Sequence, residues 1–89
     1  MIYSIEIDKV ALKYLQKLDK STRTRITNIL QVLSEDPFHP ELDIKRLKGT
    51  DNDYYRLRIA SYRVVYSVEN EMLMIYIIKI GPRGDIYKD

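Results

Sequence analysis

The sequence has no cysteine and no tryptophan, a single histidine, and only three glycines and three prolines in 89 residues. Without cysteine there are no disulfides, no thiolate nucleophile and no thiolate metal site. That fits a reducing compartment. No glycine-rich phosphate loop is present, and no Ser-His-Asp set stands out. No apolar run is long enough to span a bilayer. The N-terminus, Met1-Ile2-Tyr3-Ser4-Ile5-Glu6, lacks the charged and long apolar segments of a secretory signal. A soluble cytoplasmic protein is expected, with one domain over residues 1–89. His39 sits in Phe38-His39-Pro40 and reads as a surface loop residue. Asp51 and Asp53 read as a solvated turn with no third ligand at suitable spacing, so neither a metal nor another cofactor is expected.

What the chain does have is apolar content for a core, at 45%, and an uneven spread of charge. Residues 1–44 carry six Lys/Arg against seven Asp/Glu, and residues 45–89 carry nine against six. The second part holds five of the seven arginines, and arginine forks match phosphate geometry. Either a solvated basic face or a polyanion-binding surface would produce this bias.

Local pattern gives the elements. Apolar residues separated by Ser4 and Glu6 make residues 2–7 a strand. Asp8 is an N-cap for a helix over 9–18, with Ala11, Tyr14, Leu15 and Leu18 as its buried stripe. Ser21 is expected to cap a second helix over 22–35, where Ile26, Ile29, Leu30 and Leu33 share a face. Pro37 stops that helix by pushing Asp36 out of the helical region. Residues 36–52 read as a loop, followed by strands at 54–60, 61–68 and 72–80. The order is β-α-α-β-β-β. It predicts an α+β fold, with a helix hairpin packed on one face of a small, mainly antiparallel sheet.

Strand alternation then sorts the charges. Tyr55, Leu57 and Ile59 point one way, and Arg56 and Arg58 the other. Val64, Tyr66 and Val68 oppose Arg63. Burying an unpaired arginine is costly, so Arg56, Arg58 and Arg63 should share the open face of the sheet. Of the eight tyrosines, Tyr54 and Tyr55 are the best candidates to stack on bases, and Tyr62 is open to either role.

Read in order, Ala11-Leu12-Lys13-Tyr14-Leu15-Gln16-Lys17-Leu18, Lys45-Arg46-Leu47-Lys48-Gly49, Tyr55-Arg56-Leu57-Arg58, Tyr62-Arg63-Val64-Val65-Tyr66 and Ile80-Gly81-Pro82-Arg83-Gly84-Asp85-Ile86-Tyr87 resemble the RelE branch of the RelE/ParE toxin superfamily. The resemblance spans nearly the whole chain. It implies a RelE-like fold and the toxin of a type II toxin–antitoxin pair. Such a toxin cuts messenger RNA in the ribosomal A site without metal, through attack of the 2′-hydroxyl on the adjacent phosphate. Carried over residue by residue, the catalytic set is Arg56, Arg58, Arg63, Arg83 and Tyr87, with Tyr87 as general base. Lys45, Arg46, Lys48, Lys79 and Lys88 are the candidate contacts to RNA or ribosome. The implied partners are a RelB-like antitoxin, the ribosome and mRNA, and no membrane. The toxin itself is expected to be a monomer that forms a hetero-oligomer with its antitoxin. Where many relatives carry a histidine, this chain has Pro82, so proton transfer falls on Tyr87, an arginine or a lysine. The C-terminal helix of some relatives is not expected, since the sequence given stops at Asp89. Two other functions remain open: a ParE-like inhibitor of DNA gyrase, and a non-catalytic nucleic-acid-binding module in which the arginines only contact phosphates.

Overall fold

The computed structural model describes residues 2–47 and 54–82. Strand β1 (Ser4–Ile7) leads into helix α1 (Lys9–Lys17) and helix α2 (Lys20–Glu35). Four strands follow: β2 (Asp43–Leu47), β3 (Tyr54–Ile59), β4 (Tyr62–Glu69) and β5 (Met74–Pro82). Among the described residues they form a five-stranded sheet in the order β1-β5-β4-β3-β2. Only β1 runs parallel to its neighbour; the other pairings are antiparallel. The helices pack on one face, so the α+β fold expected from the pattern is the fold observed, with one strand added.

Both helices start on aspartates. The Asp8 carboxylate accepts from the backbone N–H groups of Val10 and Ala11 at 3.0 and 3.4 Å. The second helix begins earlier than its expected Ser21 cap, because Asp19 takes that place. Its carboxylate accepts from the Thr22 amide at 3.2 Å and from the Thr22 hydroxyl at 2.7 Å. These two bonds, the hydroxyl first, hold the Asp19 carboxyl below its usual pKa. A charged acceptor with two donors outcompetes a serine hydroxyl two residues on. Asp19→Ala is therefore expected to lower the melting temperature measurably, and Ser21→Ala to leave it nearly unchanged. A larger loss from Ser21→Ala would return the cap to the serine. At the other end, α2 stops at Glu35 with Asp36 extended before Pro37.

The core lies between helices and sheet. Leu15, Ile26, Leu30 and Leu33 meet Leu57, Ile59, Val64, Tyr66, Ile75, Ile77 and Ile80. Tyr66 donates from its buried hydroxyl to the Pro37 carbonyl at 2.7 Å, which pins the start of the α2–β2 connection. Burial, with smaller contributions from Tyr55 and Asp36, pushes the Tyr66 phenol well above its usual pKa, so it stays a donor.

Strand β2 overturns part of the 36–52 loop. Its residues pair in register with β3, from Asp43 opposite Arg58 to Leu47 opposite Tyr54. It is an edge strand with one covered face, where Ile44 packs against the core opposite Leu57, while Leu47 lies on the other face opposite Tyr54.

The β3–β4 hairpin turns on two residues, Ala60 and Ser61, between the paired Ile59 and Tyr62. Ala60 has φ of 52°, the left-handed region that a side chain disfavours. Ala60→Gly is thus expected to stabilise the protein by about 1 kcal/mol, read from the urea unfolding midpoint at unchanged slope. A destabilised variant would show that the turn carries no strain.

Candidate functional site

Residues paired across strands share a face of the sheet. Two rows therefore cross the face away from the helices. One runs Lys45, Arg56, Val65, Lys79, and the next runs Asp43, Arg58, Arg63, Gly81. The sheet thus brings together Arg56, Arg58, Arg63, Lys45 and Lys79, five of the expected site residues. Arg58 lies directly opposite Arg63, two like charges in facing positions.

Lys79 reaches this face through an irregularity. The β4–β5 register shifts between Val65 and Tyr66, so that Val65 pairs with Lys79 while Tyr66 pairs with Ile77. Ile78 is the extra residue of a β-bulge. The bulge lets Ile75, Ile77 and Ile80 all bury against the helices although their spacing breaks the two-residue period. It also leaves Lys79 exposed on the side of the arginines.

Alternation separates other candidates. Lys45 is on the arginine face, but its neighbour Arg46 pairs with Tyr55 and belongs to the opposite face. Tyr55 is not a free stacking platform. Its ring stacks on Tyr66 at 5.5 Å and meets the edge of Phe38 at 5.0 Å. Tyr62 contacts Tyr14 edge-on at 6.5 Å, also on the helix side. Tyr54 alone of the three has the parity of the arginines, where it is half-buried. Lys48, Arg83, Tyr87 and Lys88 lie outside the described residues.

Burial departs from expectation at one position. Arg56 has the parity of the open face, yet it is only 5% exposed. Its buried Nε and Nη1 atoms, and Nε of Arg58, make no hydrogen bond. Desolvated guanidinium donors without acceptors are unfavourable unless an anion arrives to use them. Among the described residues, the carboxylate paired with both arginines is that of Asp43, which sequence reasoning passed over as part of a loop. Its Oδ1 lies 3.6 Å from Arg56 Nη1 and its Oδ2 lies 3.7 Å from Arg58 Nη1. One carboxylate thus spans two guanidiniums, using one oxygen for each. The register in β2 puts it there, a signal available only once the strand is recognised.

Elsewhere, His39 Nδ1 accepts from the Glu41 amide at 3.1 Å and serves the loop before β2. Among the described residues no three His, Cys, Asp or Glu side chains converge as a metal site. A groove of about 560 Å³ runs between α1 and the end of β5, lined by Val10, Tyr14, Ile78, Pro82 and others. It is mainly apolar and, among the described residues, carries one cation, Lys79, so it does not match the charge of the arginine face. Among the described residues no helix is long and apolar enough to cross a membrane.

Two helices on one face of a mixed sheet, with a cluster of guanidiniums on the other, define a small α+β protein equipped to take up an anion. Comparison with known proteins makes the class specific. Residues 5–87 match the model of the ParE toxin of type II toxin–antitoxin systems. A Methanocaldococcus jannaschii protein named RelE1 is 39% identical over 100% of this chain and 99% of its own length. The Escherichia coli mRNA interferase toxin RelE is 29% identical over 100% of this chain and 94% of its own. The crystal structure of an archaeal RelE–RelB complex from Pyrococcus horikoshii contains a chain that superposes with a TM-score of 0.84 at 38% identity, covering 96% of this chain and 99% of that one. This chain belongs to the RelE/ParE superfamily of toxins from type II toxin–antitoxin systems.

Proposed function

We propose that this protein is an endoribonuclease toxin that cleaves messenger RNA in the A site of the ribosome, in the cytoplasm, without a metal. The observation that carries this reading is Arg56, buried with two unspent donors beside Arg58 and Arg63 on one rigid sheet face. A sheet holds these groups with little freedom, as electrostatic stabilisation of a transition state requires.

In the proposed reaction the 2′-hydroxyl of the RNA attacks the adjacent phosphorus. The new O–P bond forms as the bond to the 5′-oxygen breaks, giving a 2′,3′-cyclic phosphate and a 5′-hydroxyl. Negative charge builds on the phosphoryl oxygens, where the guanidiniums of Arg56, Arg58, Arg63 and Arg83 stabilise it. The 2′-hydroxyl proton goes to the Tyr87 phenolate, and the departing 5′-oxygen takes a proton from water. Lys45 and Lys79 flank Arg56 along its row and suit phosphates on either side of the scissile one. Lys48 and Lys88 extend the same role by resemblance. Arg46, on the other face, is assigned to the ribosome instead. The E. coli relative bears the name mRNA interferase, and the archaeal relative was crystallised with RelB. By the same likeness, this toxin's partner is a RelB-like antitoxin.

A second reading has one observation in its favour: the matching family model is that of ParE. A ParE-like gyrase inhibitor would have no need of desolvated arginines. A translation extract with a defined mRNA separates the readings. Cleavage predicts new 3′ ends within A-site codons, only when ribosomes are present, and undiminished by EDTA once the ribosomes are assembled and fixed. Loss of gyrase supercoiling activity with no new mRNA ends would establish the ParE-like function. Salt-sensitive binding to any nucleic acid, and nothing else, would leave a non-catalytic binding module.

A further inference from the structure

We propose that Asp43 is an intramolecular stand-in for the substrate phosphate. In the free protein it holds Arg56 and Arg58 in place, and it gives them up when an RNA phosphate arrives. The proposal rests on the reading above only in naming RNA as the anion.

Three features of the structure point to this exchange. The first is geometry. Each Asp43 oxygen faces a different guanidinium, at 3.6 and 3.7 Å, as two oxygens of one phosphate would. The second is the looseness of the contact. Both separations exceed hydrogen-bonding range, and Asp43 remains 54% exposed. Buried donors of Arg56 and Arg58 are still without hydrogen bonds, so the carboxylate satisfies the charge but not the donors. A phosphate, with more acceptor oxygens and more charge, does both. The third is like-charge crowding. Arg58 faces Arg63 directly, and Arg56 faces Lys45. Side chains crowded in this way would splay apart without an anion among them. Among the described residues, the other acids of this sheet face, Glu6 and Glu69, lie toward the far ends of β1 and β4, paired with Tyr76 and Met74.

Asp43 lies on the outermost strand, which among the described residues pairs on one side only. Its side chain can therefore swing outward without disturbing the core, while the arginines stay on inner strand β3 and its neighbour. Asp43 is thus a positioning residue that also competes with substrate. The arrangement would lower affinity for stray anions and keep the guanidiniums ordered until RNA is held by additional contacts.

The test uses the full chain and a single-stranded RNA oligonucleotide with 2′-deoxy nucleotides, which cannot be cleaved by 2′-hydroxyl attack. Asp43→Asn is expected to bind it about three- to tenfold more tightly at physiological salt, the size expected for removing one partly exposed charge contact. Asp43→Glu, which keeps the carboxylate, should return affinity to near the wild-type value. Glu41→Gln makes the same change in net charge on an exposed residue two positions away, and should tighten binding less than twofold. In the free Asp43→Asn protein, the side-chain Nε–H NMR signals of Arg56 and Arg58 should shift and broaden while core signals hold still. Equal tightening in Asp43→Asn and Glu41→Gln would reduce Asp43 to a bulk charge effect and overturn the proposal. So would unchanged arginine signals, or unchanged affinity. None of these readouts depends on catalysis. If wild-type protein fails to cut ribosome-bound mRNA, the cleavage reading falls while the Asp43 result stands.

Discussion

Arg56→Met is expected to leave the protein as stable as the wild type, or more stable by about 1–3 kcal/mol, while slowing RNA cleavage about 100- to 1,000-fold. The two effects have one cause. Arg56 is 5% exposed with Nε and Nη1 not hydrogen-bonded, so folding strips water from donors and returns little in exchange. Methionine fills much the same space without that cost and relieves the repulsion from Lys45 and Arg58. On the cleavage reading, what would be lost is a desolvated cation at the developing charge, where low dielectric makes it most effective. Urea unfolding and single-turnover cleavage on programmed ribosomes read the two effects separately. Stability and activity falling together would mean that Arg56 serves the fold rather than the reaction. Arg58, with a side chain 33% exposed, gives the contrast. Arg58→Met should change stability little and activity strongly.

That opposition between stability and activity explains which parts of the protein could be read in advance. Elements whose residues serve the fold obey local rules. Asp8 caps α1, Pro37 ends α2 by way of Asp36, and the parity of β3 and β4 puts Leu57 and Val64 in the core. The departures have physical reasons. Asp43-Ile44-Lys45-Arg46-Leu47 looks like loop because an edge strand with one covered face needs few apolar residues. The run from Ile75 to Ile80 is apolar at almost every position, so alternation within it gives no register, and the bulge at Ile78 is invisible. At the helix start, Asp19 and Ser21 are both good caps, and only the Thr22 hydroxyl bond decides between them.

The site was legible to the extent that it follows parity. Arg56, Arg58 and Arg63 share a face as alternation requires, and Arg46 and Tyr55 leave it for the same reason. Burial of Arg56 was not legible. The rule that an unpaired arginine must be exposed holds only where every residue is placed for stability. Asp43 was missed because its role depends on a pairing 15 residues away, with Arg58.

Tyr87→Phe is expected to slow cleavage by about 10²–10⁴-fold and to abolish most of the pH dependence of the rate. Cleavage requires a group that takes the 2′-hydroxyl proton. Arginine is not deprotonated in proteins, which rules out the most abundant side chains of this face. His39 is engaged with the Glu41 amide in the loop before β2. Tyr66 has a phenol, but burial pushes its pKa up and its hydroxyl is spent on the Pro37 carbonyl. Tyr87, outside the described residues, is the remaining candidate that the resemblance supplies. A phenol with a reference pKa of about 10 is a poor base at neutral pH. On the cleavage reading, guanidiniums beside the phenol would favour the phenolate over the neutral phenol. The rate is then expected to rise about tenfold per pH unit from neutrality, and to level off below the ordinary tyrosine value. If Arg63 is one of those charges, Arg63→Ala should move the plateau to higher pH as well as slow the reaction. In Tyr87→Phe the slope should vanish along with the rate, while ribosome binding is retained. A Tyr87→Phe enzyme that kept both the wild-type rate and the wild-type slope would move the base to Asp43 or to a lysine of the same face.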